Sequence, residues 1–376
     1  MFYKNARIFC SDFTFREGAF EVVDGKFGAV LPDAVPEDAI DLQGATVIPG
    51  LVEVHSHGNS GADFSDGDYE GLKAMARYYA QCGATSFAPA SMTLPYEVLS
   101  KAFATAKQLH EEAPAGHSRL MGIQMEGPFF SYAKRGAQNP DYLMEPDFEG
   151  FRKLYEECDG LIRIVDIAPE LPGAAEFVAK AKELCTVSIA HTDSDYEHAK
   201  AAFDAGATHL THLYNGMPSI HHRDPGVIPA AVENPNVRAE IICDGLHIHP
   251  ASVRLAFSAF GAERMIIISD ALRCCGMPDG EYSLGGQKVF MNNGKATLEG
   301  GTIAGSATVL ADCVRRAVSF GIKLESAIKA ATINPAKSAG LYDVVGSLRE
   351  GKQADVVVLD KDLNLKLVVL AGKVQK

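Results

Sequence analysis

A chain of 376 residues, 47% hydrophobic and 22% charged, has ample material for one large core and a smaller one, in the proportions of an ordinary globular protein. Its formal net charge of −13 argues against nucleic acid or an anionic membrane as partner, since both repel an acidic surface, yet a local cluster of donors can still hold a small anion. Met1 to Arg7 lacks the apolar core of a signal peptide, no apolar run is long enough to span a bilayer, and Cys10, Cys82, Cys158, Cys185, Cys243, Cys274, Cys275 and Cys313 form no CxxC pair, so we expect reduced thiols and a cytoplasmic setting.

The first 47 residues read as short strands: Tyr3–Cys10, Ala19–Val23, Lys26–Val30 after an Asp24-Gly25 hairpin signal, then Ala39–Leu42 and Thr46–Val47. The carboxy-terminal end has the same texture, with strands in Gly351–Asp360 and Leu365–Val374. We therefore expect a small β-sandwich domain built from both termini, residues 1–47 and 340–376, around a domain of residues 48–339. That middle alternates strand and helix. Leu51, Val52 and Val54 open it as a strand buried on both faces, followed by a helix over Tyr69–Cys82. Later strands are expected at Ala84–Ala88, Leu120–Met125, Ile162–Ile167, Thr186–Ala190, Thr208–Leu213, Arg238–Cys243 and Met265–Ser269. Helices are expected between them at Tyr96–His110, Phe148–Cys158, Ala174–Leu184, Tyr196–Ala205, Gly226–Val232 and Ala251–Phe260. Eight such units predict an α/β fold, a (β/α)8 TIM-type barrel. An open doubly wound sheet is the alternative, but no GxGxxG turn follows the first strand. An insertion near 272–305 carries hairpin signals at Asp279-Gly280 and Asn293-Gly294, and helices Thr308–Phe320 and Leu324–Ala331 close the domain.

Polar residues collect where these strands end. The first ends in His55-Ser56-His57, whose two imidazoles leave an extended chain on the same side. Glu126 ends the third strand, His191 the fifth and His212 the sixth; Asp244 ends the seventh with His247 just beyond, and Asp270 ends the eighth. A barrel brings all of these to its carboxy-terminal rim, where barrel enzymes place their chemistry. A lone strand-end histidine is more often a hydrogen-bonded loop residue, Glu126 before Gly127-Pro128 could brace a turn, and Asp270 could cap a helix. Independent structural residues do not fall repeatedly on one rim, however. Imidazoles and Glu126 together suit a divalent cation that activates water, with Asp270 taking and returning the proton.

The chain resembles the N-acetylglucosamine-6-phosphate deacetylases of the amidohydrolase superfamily over essentially its whole length. The resemblance rests on PGLVEVHSHG (49–58), MEGPF (125–129), AHTDSD (190–195), THLYNGM (211–217), RDPG (223–226), CDGLHI (243–248), ISDA (268–271), GMPDGEY (276–282) and AGSATVLADCV (304–314). ATINPAKSAGL (331–341) and GSLREGKQADVVVLD (346–360) are similar to a tail that many amidohydrolases share. It implies Glu126, His191 and His212 as primary metal ligands and Asp270 as acid/base. It implies substrate contacts at Ala137, Gln138, Asn215, Gly216, His247, Ile303, Ala304 and Gly305, and a phosphate contact at Arg223. Gln138 stands where the family often has histidine. Because His55 and His57 are both present, a second cation bridged by Glu126 is expected, giving one or two divalent ions per chain, zinc or iron. The implied partner is a phosphorylated amino sugar, and the implied assembly a homodimer. An N-acetylgalactosamine-6-phosphate deacetylase is the near alternative. A dihydroorotase-like site is disfavoured because Ala168-Pro169 follows the fourth strand where a bridging lysine would stand, and a metal-free relative would have lost rim ligands. Cys274 and Cys275 receive no role.

Overall fold

A computed structural model describes residues 1–375; Lys376, the last residue of the expected terminal unit, lies outside the described residues. Asp24 and Gly25 both take positive φ (47° and 77°), the conformation of a tight two-residue hairpin, and join Phe15–Val23 to Lys26–Val30. Strands from both termini then share one seven-stranded sheet. Its order is Lys373–Val374, Leu365–Leu370, Val356–Leu359, Ile40–Pro49, Phe2–Phe9, Phe15–Val23, Lys26–Val30. Ile40–Pro49, expected as two pieces, is continuous: Gln43 and Gly44 (φ 54° and 75°) form a bulge where the register against Phe2–Phe9 shifts, so pairing resumes beyond it. The sheet rolls over its own core, in which Tyr3 stacks on Phe20 (ring centroids 4.8 Å apart) beside Phe27, Val356 and Val369. The roll is tied where Phe27 N–H reaches the Lys352 carbonyl (2.8 Å) and Ala354 N–H the Gly25 carbonyl (2.9 Å).

Pro49-Gly50 carries the chain directly into the barrel. A side chain at Gly50 would meet Thr85 Oγ1 at 2.0 Å, so only glycine passes there. The parallel strands follow in chain order: Leu51–Glu53, Ala84–Phe87, the third position, Ile162–Ile167, Thr186–Ile189, His209–Leu210, Arg238–Ile242 and Met265–Ile268. The third position, expected as one strand, is split into Arg119–Leu120, which pairs backward with Ala84–Phe87, and Ile123–Met125, which pairs forward with Ile162–Ile167. Between them Gly122 lies so close to Arg163 that a Cβ would sit 2.3 Å from its Cγ. Among the described residues no ladder joins the eighth strand to the first. That seam is closed instead by Asp270 N–H on the His55 carbonyl (3.0 Å) and by Ser269 N–H on the Glu53 carboxylate (3.2 Å).

The helices lie close to their expected ranges, including Tyr69–Gln81, Tyr96–Glu112, Phe148–Glu157 and Tyr196–Ala205. Asp68, Asp147 and Asp195 cap three of them by accepting first-turn N–H bonds, which fixes where each begins. Two expectations need correction. The insertion is a three-stranded antiparallel sheet, Gly280–Leu284, Gln287–Asn292 and Lys295–Leu298, whose first turn is Gly285-Gly286 and not Asp279-Gly280. Both of those glycines take positive φ, whereas Asp279 uses its carboxylate to accept Asn293 N–H (2.9 Å) from the second turn. A further short helix, Ile333–Ser338, follows Leu324–Ala331 where the sequence reading placed none. Among the described residues no helix is long and apolar enough to cross a membrane.

Candidate metal centre

Every barrel strand that carries a candidate ligand stops just short of it. His55 and His57 follow Leu51–Glu53, Glu126 follows Ile123–Met125, and His191, His212 and Asp270 each lie two residues beyond their strand. The last three have positive φ (43°, 31° and 49°), a conformation that costs a non-glycine residue on the order of 1 kcal/mol. The bend turns each side chain off the strand direction and into the barrel mouth.

There the side chains converge on Glu126. Its Oε1 lies 3.1 Å from both His191 Nε2 and His212 Nε2, and these two nitrogens are 3.1 Å apart. Its Oε2 lies 3.2 Å from His57 Nε2, while His55 Nε2 stands 3.7 Å from Oε1. Asp270 Oδ1 completes the ring at 3.4 Å from His57 Nε2 and 3.7 Å from His55 Nε2. Two groups with mutually close ligand atoms result, Glu126–His191–His212 and His55–His57–Glu126, sharing one carboxylate.

The opposite ring nitrogens decide what these atoms can bind. His191 Nδ1 meets the Lys134 carbonyl (2.9 Å), His57 Nδ1 the Ala90 carbonyl (3.2 Å) and His55 Nδ1 the Glu240 carboxylate (2.9 Å). Each acceptor requires an N–H, so each neutral imidazole presents its Nε2 lone pair to the centre. Lone pairs of nitrogen and carboxylate at about hydrogen-bond distance repel unless a cation lies among them. Buried His55 Nε2 and Asp270 Oδ1 have no hydrogen-bond partner, which fits a centre built to be filled by a divalent ion.

Protons are the competing occupants. Burial disfavours a charged His55, but the facing carboxylates of Glu240, Glu126 and Asp270 outweigh it and raise its pKa to about 10. His57 is likewise raised well above its ordinary value, burial being overcome by Asp270 and Glu126. Burial also opposes ionised Glu126 and Asp270, yet facing histidines hold both below the usual carboxylate range. A metal entering the centre must therefore expel protons.

The centre opens into a cleft of about 380 Å³. Of the expected substrate contacts, Ala137, Asn215, Gly216 and His247 line it, as do Ile303, Ala304 and Gly305 from the chain after the inserted sheet. His247 is held by Asp244 (Nδ1 to Oδ2 2.7 Å); burial disfavours its charge, but that carboxylate outweighs it and raises its pKa. Gln138 also borders the cleft, but its amide is committed: Nε2 donates to Glu126 Oε2 (2.8 Å) and Oε1 accepts Thr93 N–H (2.8 Å). Arg223 does not join the lining. It sits on an exposed loop with its guanidinium on His222 Nε2 (2.7 Å). The sequence reading passed over Tyr214, Met92 and Leu284, which also line the cleft, and over Glu53, Glu240 and His209 beneath it. Glu240 and His209 had left only a weak signal, as ionisable residues beside Ile241-Ile242 and Leu210 in the expected strands.

The amidohydrolase family pattern matches residues 46–375. An N-acetylglucosamine-6-phosphate deacetylase of Bacillus subtilis is 34% identical over 99% of this chain and 96% of its own length. An N-acetylgalactosamine-6-phosphate deacetylase of Escherichia coli O157:H7 is 32% identical over 94% of this chain and 92% of its own. Among solved structures, a mutant N-acetyl-D-glucosamine-6-phosphate deacetylase of Mycobacterium smegmatis, in complex with N-acetyl-D-glucosamine-6-phosphate, superposes with a TM-score of 0.93. It is 32% identical and covers 100% of this chain and 99% of its own.

Proposed function

The chain belongs to the amidohydrolase family, and from that premise we propose that it is a metal-dependent N-acetylglucosamine-6-phosphate deacetylase, yielding glucosamine 6-phosphate and acetate. The observation that carries this reading is the convergence of four imidazoles on Glu126 at the head of a cleft closed on one side by Asp270. Glu126, His191 and His212 would hold the primary cation, zinc or iron, and His55 and His57 with Glu126 a second. Such an ion polarises the acetamide carbonyl and lowers the pKa of a water beside it.

The protein's own groups do the rest. Asp270 Oδ1, buried at the centre without a hydrogen-bond partner, is placed to take the proton of the attacking water as the new carbon–oxygen bond forms. The same oxygen delivers that proton to the sugar nitrogen as the carbon–nitrogen bond breaks, which releases acetate and the free amine. Asn215 and Gly216 border the place where the sugar would lie. We assign the sugar to His247, whose ring Asp244 holds in place, and a phosphate-reading role to Arg223, whose planar fork suits a dianion. The scatter of eight cysteines with no CxxC pair is the ground for a reducing cytoplasmic setting. A homodimer, and a division at residues 47/48 and 339/340, complete the proposal.

A galactosamine epimer is the second reading, favoured by the nearly equal identity to the Escherichia coli relative. Acetate release from both 6-phosphorylated epimers, with elemental analysis of the same preparation, tests the two together. Faster turnover of the gluco epimer is expected; no acetate from either by a metal-replete preparation refutes both.

A further inference from the structure

Beneath the histidines, on the core side, lies a polar chain to which the proposed reaction gives no part. Glu240, in the seventh barrel strand, is fully buried, as is His209, and Ser338 is nearly so. A carboxylate without water is costly unless its lone pairs are used, and here they are. Its Oε1 accepts from His209 Nε2 (2.9 Å); its Oε2 accepts from His55 Nδ1 (2.9 Å) and from the His212 main-chain N–H (3.1 Å). His209 Nδ1 faces Ser338 Oγ at 2.5 Å, so the hydroxyl donates to Nδ1 and fixes the imidazole proton on Nε2, where Glu240 requires it. The chain Ser338–His209–Glu240 thus ends on one histidine from each cation group.

The two ends are not equivalent. Glu240 holds His212 only by its backbone, but it is the hydrogen-bond partner that sets the His55 ring, whose Nε2 is left open. We propose that Glu240 is a positioning residue that locks His55 with its Nε2 lone pair aimed between Glu126 and Asp270, making His55–His57–Glu126 a working second cation seat. His209 and Ser338 hold Glu240 in register. The full negative charge behind the imidazole also strengthens Nε2 as a donor to a cation. This rests on the metal reading of the centre and not on the identity of the sugar.

Zinc alone tests it. Chelator-treated protein is equilibrated against a series of free Zn²⁺ concentrations, and bound zinc per chain is measured; the native chain should take up two equivalents in a tighter and a weaker phase. Glu240→Gln should keep the shape, because the amide oxygen can accept from His55 and His212 while its NH2 faces a His209 that has moved its proton to Nδ1. By exchanging the carboxylate behind His55 for a neutral and weaker acceptor it should weaken the second phase about 10-fold, the lower end of the usual cost of disturbing a ligand's outer partner, and leave the first within about threefold. Ser338→Ala, which touches no metal ligand, should weaken the same phase by less, and it carries the test alone if the glutamine variant does not fold. Equal weakening of both phases, no weakening of either, or a native chain that never exceeds one equivalent would each overturn the proposal. Turnover plays no part in the readout, so a protein that binds zinc in this way but deacetylates nothing refutes only the proposed function.

Discussion

Asp166, in the fourth barrel strand, is buried beneath the metal centre, and loss of water, with the nearby charges of Glu126 and Glu240, pushes its pKa from 3.8 to about 7. A shift of about 3 units is worth about 4 kcal/mol, at 1.36 kcal/mol per unit. The direction follows from proton counts. Between about pH 4 and pH 7 the unfolded chain has released a proton that the folded chain keeps, so the unfolded state binds fewer protons. Stability then falls with rising pH, by up to about 1.4 kcal/mol per unit, and levels off above about 7. Asp166→Asn abolishes the titration and fits the surroundings. Oδ1 accepts from Thr211 Oγ1 (2.9 Å), Oδ2 from Gln124 Nε2 (3.1 Å), and the buried Gln124 Oε1 has no partner. An amide in place of Oδ2 supplies that oxygen with a donor once Gln124 turns over. In chelator-treated protein, urea unfolding should find the variant more stable than the native chain, by a margin that grows with pH from pH 5 to about 4 kcal/mol at pH 8. A stability difference that does not grow with pH, or a variant weaker than native at pH 8, would refute the reasoning.

Asp270→Asn should retain native metal content while kcat falls at least about 100-fold, because the amide cannot take a proton; near-native turnover in a metal-replete preparation would remove Asp270 from the reaction. Arg223→Ala should raise KM for the 6-phosphorylated sugar far more than for the unphosphorylated one, and equal losses on both would show that it does not read phosphate. The double change His55→Gln with His57→Asn should remove one metal equivalent by elemental analysis and leave partial activity, since Glu126, His191 and His212 are untouched. Loss of all bound metal would show that the two groups are a single site.

Strand alternation and strand-end polarity made the barrel and its rim legible, because parallel strands buried on both faces read as largely apolar runs, and the candidate ligands follow where those runs stop. What was not legible depended on close approach. The break at Gly122 does not follow from local propensity but from the close approach of Arg163, distant in sequence, whereas Gly285-Gly286 is a local hairpin signal that the sequence reading passed over in favour of Asp279-Gly280. Glu240 and His209 were hidden for a related reason. An ionisable residue in a strand reads as exposed until its partners are known, and theirs come from four separate segments of the chain. For Arg223 the motif marks a residue type and a loop, but spacing says nothing of where an exposed loop points.

The place of Ile40–Pro49 in the terminal sheet bears on how the chain is made. One of its edges pairs with Phe2–Phe9, which leaves the ribosome before it, and the other with Val356–Leu359, which emerges only after every strand of the barrel. While the barrel is being made this strand offers an open edge beside it, the kind of surface on which nascent chains cross-pair. The last strands therefore act as a latch on a sheet begun long before, although they lie far from the cleft. Damage to Val356–Leu370 should consequently reduce the yield of soluble protein, while the molecules that do fold keep their chemistry.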